Sequence, residues 1–96
     1  MQRLFSVEDI FEIKGRGLVL VPTTKSGLES IIKPGQKIQL RTPEGSSLDS
    51  RISSIEFLHG IGADGKKFCR IAVMVPADVP KDRIGKGTEV WSLNPQ

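Results

Sequence analysis

The chain has 96 residues, 38% of them hydrophobic and 26% charged, a balance too apolar for a disordered tail and sufficient for one domain with one modest core. Its net charge of +3 permits an anionic partner but falls short of the dense Lys/Arg loading of a dedicated nucleic-acid binder. Cys69 is the only cysteine, which excludes an internal disulfide and fits a reducing compartment. The first nine residues carry acids and no apolar run, unlike a signal peptide. The longest apolar stretches, residues 18–22 and 71–76, are far too short for a membrane helix. A single cytoplasmic domain spanning residues 1–96, with no membrane association, is the expectation.

The dominant hydrophobic period is two, the period of strands. Phe5, Val7, Phe11 and Ile13 are apolar at odd positions. Ile10 breaks the alternation and Asp9 takes the inward slot, a register slip that predicts a β-bulge. Gly15-Arg16-Gly17 supplies a turn, and residues 18–23 form the return strand, rich in β-branched Val19, Val21 and Thr23. A loop follows over residues 24–30, around Gly27. Pro34-Gly35 is a turn signal, residues 37–40 alternate as a short strand, and residues 42–47 make another turn.

Residues 51–58 alternate again through Ile52, Ile55 and Phe57. Residues 60–67 form a polar, glycine-rich hairpin loop, and residues 68–75 a mostly apolar, central strand. A short helical turn is read near residues 81–84, and residues 88–93 close the chain as a final strand carrying Val90 and Leu93. Six strands at this spacing, punctuated by turn residues, predict an all-β fold, a small closed Greek-key-like barrel.

Chemical motifs are sparse. Residues 60–65 spell G-x-G-x-x-G, but a dinucleotide site needs that pattern at the start of a helix. Here Lys66-Lys67-Phe68 runs straight into a strand, so the segment is a hairpin loop and no bound nucleotide is expected. Gly85-Lys86-Gly87-Thr88 lacks the spacing of a phosphate loop. His59 is the only histidine. With one distant cysteine it makes neither a metal site nor a nucleophile–base pair without long-range coincidence. Cys69 is expected to pack as a small apolar residue, and Trp91 to pack at the barrel's closure with its N–H at the rim. No nucleophile, base and orienter occur together, so no catalytic residue, metal or cofactor is predicted.

Three segments in order carry a family resemblance: V-E-D-I-F-E-I-K-G-R-G at residues 7–17, I-I-K-P-G-Q-K-I-Q-L at 31–40, and I-S-S-I-E-F at 52–57, with I-A-V-M-V at 71–75 and V-P-K-D-R-I-G-K-G-T-E-V at 79–90. Across nearly its whole length the chain resembles the second, β-barrel domain of elongation factor Tu and related translational GTPases, as a lone copy of that domain. The resemblance implies a non-catalytic binding module that packs on other domains or helps hold the acceptor end of tRNA. It places Glu56 at the position of a glutamate that lies at the terminal adenosine in the family. The sequence departs from the family's pattern at Pro76-Ala77-Asp78, where a basic residue is usual, and at Val21-Pro22, where Thr-Gly is usual.

Basic residues cluster at three turns: Lys14 and Arg16; Lys66, Lys67 and Arg70; and Lys81, Arg83 and Lys86. Were these turns to share one end of the barrel, they would form an anion-binding surface, although four Phe, one Trp and no Tyr supply little base stacking. The candidate RNA- or partner-binding residues are therefore Lys14, Arg16, Glu56, Lys66, Lys67 and Arg70. The expected partners are RNA, the ribosome or a translation factor, the alternative being a protein-interaction module with no RNA role. A closed barrel without free edges would favour a monomer.

Overall fold

A computed structural model describes residues 2–23, 28 and 31–93. The loop expected at residues 24–30 lies, apart from Leu28, outside the described residues. Seven strands follow in order: β1 (Gln2–Ile13), β2 (Gly17–Pro22), β3 (Lys37–Arg41), β4 (Ser47–Arg51), β5 (Ser54–Ile61), β6 (Lys67–Pro76) and β7 (Glu89–Ser92), with a single 3-10 turn at Lys81–Arg83. They form one antiparallel ladder in the order β4-β3-β7-β1-β2-β6-β5.

The all-β class holds, with two corrections. First, there are seven described strands instead of six. A bend at Ile52-Ser53 divides the segment expected as one strand into the end of β4 and β5. Ile52 exchanges backbone hydrogen bonds with the turn at Gly35-Gln36, while Ser53 donates both its N–H (2.8 Å) and its hydroxyl (2.9 Å) to the Met74 carbonyl. Second, the hydrogen-bonded ladder does not close. Among the described residues β4 pairs only with β3 and β5 only with β6, leaving two free edges.

The long first strand folds the ladder into two layers. Residues Gln2–Ser6 pair with β7, and residues Val7–Ile13 pair with β2. Where the strand changes partner, the register slips between Val7 and Asp9, the predicted bulge. An extra residue bends a strand and reverses which face its side chains take. The bulge sends Ile10, not Asp9, toward the core, correcting the inward slot expected for Asp9. Asp9 instead lines a surface cleft and accepts a 2.9 Å hydrogen bond from the Ile10 N–H.

Between the layers lies the main core, built from Phe5, Val7, Leu18, Leu20, Ile38, Leu40, Ile52, Val73, Val75 and Val90, with Leu28, Ile32, Val79 and Ile84 at its ends. On the opposite face of β2 and β6, Val19, Ala72 and Met74 form a second buried cluster with Ile13 beside it. Two-sided burial explains why these two strands read as nearly continuous apolar runs, and β6 lies inside the ladder, as expected of a central strand. Two buried hydroxyls find donors: Ser92 Oγ accepts from Gln36 Nε2 at 3.1 Å, and Thr88 Oγ1 from the Gly85 N–H at 3.2 Å.

Trp91 is half-buried, its Nε1 donating to Glu89 Oε1 at 3.1 Å and its ring covered by the Arg41 guanidinium 4.2 Å from the centroid. The Trp91 hydrogen bond, then Arg3 at 3.3 Å and the charge of Arg41, hold the Glu89 carboxyl below the ordinary glutamate value.

Candidate functional site

The β5–β6 hairpin outruns its neighbour. β2 pairs with β6 only from Gly17↔Pro76 to Leu20↔Val73, whereas β5 follows β6 to Ile61↔Lys67. Residues 57–61 and 67–71 therefore project as a two-stranded arm. Its tip is the expected hairpin: the Gly65 N–H donates to the Gly62 carbonyl at 2.9 Å, the Gly62 N–H to the Lys66 carbonyl at 2.8 Å, and Asp64 Oδ1 accepts from the Lys66 N–H at 3.0 Å. Gly65 takes φ +79°, the left-handed value that such a loop requires. The arm leaves Phe57 and Ile61 at 59% and 69% exposure.

Where the arm leaves β2, a cleft of about 350 Å³ opens, lined by Glu8, Asp9, Phe11, Val21, His59, Arg70 and Lys86. Arg70 spans its root. Nη1 donates to Glu8 Oε2 at 2.8 Å, Nη2 donates to the Pro22 carbonyl, and Nε is buried without a partner. One guanidinium thus ties β6 to both β1 and the end of β2. Val21 is buried and Phe11 is 51% exposed, so the apolar part of the cleft combines a fixed base with an accessible ring. Two carboxylates, one arginine and one lysine give these side chains no net charge with His59 neutral. A second cleft of similar size, about 340 Å³, lies by β3 and β4 between Lys37, Asp49, Arg51 and Asp78, but it has no aromatic residue.

The six candidate residues do not assemble. Lys14 and Arg16 sit on the β1–β2 turn, which the Gly17↔Pro76 pairing fixes beside the far end of β6. Lys66 and Lys67 sit at the near end, and nine strand steps of about 3.3 Å separate the two pairs by roughly 30 Å. Arg70 lies between them, engaged by Glu8 and Pro22. Glu56 is half-buried on β5 opposite Ala72, on the same face as Arg70. The single anion-binding end envisaged from the sequence is therefore absent among the described residues, because register sends the turns to opposite ends of β6.

Sequence reasoning missed Phe11 and Asp9 as cleft residues and read Lys86 only as one cation of a basic turn. Phe11 has the odd-position signature of a core residue, and only the bulge turns it outward. Cys69 is exposed, not packed, because it lies on the arm beyond the core. It is also the register partner of His59, so the long-range coincidence the sequence argued against is met at the level of pairing. No group of three or more His, Cys, Asp or Glu among the described residues is placed to hold a metal ion, and no described helix is long and apolar enough to cross a membrane.

Comparison with protein-family models, with curated proteins and with solved structures finds no match to this chain.

Proposed function

We propose that the chain is a non-catalytic binding module, a barrel of the translation-factor second-domain type, and that it takes a protein of the translation machinery as its partner. The observation that carries this reading is the cleft at the arm's root. It combines an accessible aromatic, Phe11, a buried apolar base at Val21, and a rim holding charges of both signs. An apolar centre with a polar rim is the anatomy of a protein-binding spot. A phosphate backbone calls instead for concentrated positive charge, which neither this cleft nor the separated lysine pairs supply. The occupant that fits is an apolar partner side chain flanked by charged neighbours. The link to translation rests on the three-segment resemblance, and the two-layer packing around one core is compatible with a barrel whose final seam is unpaired.

The test is capture from native lysate with and without nuclease, using the wild type and Phe11→Ala and Lys86→Glu variants. A nuclease-resistant ribosomal protein or translation factor that binds Phe11→Ala about tenfold more weakly, or about 1.4 kcal/mol, is the expected result. A partner that is insensitive to both substitutions overturns the assignment of the cleft.

The RNA reading keeps one observation in its favour, the adjacent Lys66 and Lys67 at an exposed tip. It requires material lost on nuclease treatment, with salt-sensitive binding abolished by Lys66→Glu and Lys67→Glu together.

A further inference from the structure

We infer that two copies of this chain pair through the free edge of β5, forming a continuous antiparallel sheet across a two-fold axis at His59. The edge is unpaired along its whole length among the described residues, and a row of unpaired N–H and C=O groups is a template for another strand. The hairpin tip sets which groups face outward. Because the Gly62 N–H bonds to the Lys66 carbonyl, the even positions of β5 bond to β6 and the odd positions 55, 57, 59 and 61 direct theirs at the free edge.

The side chains then select the register. Among the described residues Phe57 and Ile61 are the two most exposed large apolar side chains, at 59% and 69%. They lie four positions apart, on one face. An axis at their midpoint, His59, sets Phe57 of each copy opposite Ile61 of the other, so each exposed apolar side chain covers the other's. Any other register leaves at least one of them opposite a polar residue, a loop or its own kind. On the opposite face this register sets Glu56 across from Gly62 of the second copy. The isologous arrangement closes on itself, leaving no β5 edge for further addition. The inference rests on the β5 edge and not on the proposed function, although His59 also lines the cleft, whose other lining residues lie on β1, β2, β6 and the segment before β7.

A single strand pair buries less than a standard interface, so the dimer is expected to be weak and to depend on concentration. Sedimentation velocity from about 10 µM to 1 mM is expected to show the mass rising from 10.5 kDa toward twice that value. His59→Pro removes an outward N–H without breaking a bond to β6 and is expected to remain monomeric throughout. Register is read by oxidative cross-linking in a Cys69→Ser background. His59→Cys brings two Cα atoms to about 5.5 Å, within disulfide reach, and is expected to cross-link readily. Phe57→Cys leaves them about 13 Å apart and is expected to resist. A wild-type mass that stays at the monomer value up to 1 mM overturns the proposal, as does equal cross-linking by the two cysteine variants.

Discussion

At the scale of single residues, Gly17 is the described glycine that an added side chain would disturb most. It has φ +142°, and a Cβ built there would sit 2.0 Å from the Val75 carbonyl oxygen, well inside contact. The obstacle is the backbone of the neighbouring strand, which cannot swing away as a flexible side chain would. Gly17↔Pro76 is the first pairing of β2 with β6, so relieving the clash means parting the two strands that are buried on both faces. Gly65 provides the comparison: φ is +79°, with nothing within 4 Å of the added Cβ. Gly65→Ala is expected to cost only the left-handed backbone penalty, about 1–2 kcal/mol. Gly17→Ala adds a steric clash to its strain and is expected to cost about 3 kcal/mol or more. Urea denaturation of both variants checks the order, and equal losses would mean that β6 yields at Val75.

At the scale of elements, the arm depends on its root. Arg70 is held by Glu8 at 2.8 Å and by the Pro22 carbonyl. Glu8 is 49% exposed against 21% for Arg70, so solvent screens the ion pair, which is worth at most about 1 kcal/mol. The carbonyl contact is the better sheltered of the two. A lysine places one ammonium where the guanidinium places two nitrogens and cannot serve both acceptors in this geometry. Arg70→Lys is expected to cost about 1–2 kcal/mol and Glu8→Gln less than half as much, both read by urea denaturation. Equal costs would assign the arm's attachment to the ion pair alone.

The same element shows what the sequence could reveal. The hairpin at Gly62–Lys66 was legible because glycine and aspartate state their turn chemistry locally, and the bulge because Ile10 interrupts a period-two pattern. β4 was not legible. Ser-Leu-Asp-Ser-Arg carries one apolar residue, Leu48, which is enough for an edge strand packed on one side but too little to signal one. The arm was also hidden. Phe57, Ile61 and Cys69 have the residue types of a core, and their exposure follows from where β2 stops pairing with β6, a non-local fact. That the candidate cations do not share one end has a related reason. Sequence places Lys14, Arg16, Lys66 and Lys67 on turns, but only register decides that the turns occupy opposite ends of β6.

At the scale of the whole molecule, the fold is a two-layer packing with an unsealed seam, and amide exchange can measure the seam directly. β2 and residues 72–75 of β6 are buried on both faces, with Leu18, Leu20, Val73 and Val75 in the main core. Their ladder amides can open only when the layers separate, so their exchange should report the global unfolding free energy. The outward amides of β4 and β5 have no strand partner among the described residues and should exchange through local solvent access alone. Had the ladder closed, both edges would lose that access together, and their amides would be slow at every protein concentration. If the seam is open and only β5 self-pairs, the edges part company. The amides of Phe57, His59 and Ile61 should become slower as concentration rises, while the outward amides of Ser47–Arg51 stay fast. Exchange measured at two concentrations thus separates three molecules: a closed barrel, an open monomer and an edge-paired dimer. The third pattern is the one expected.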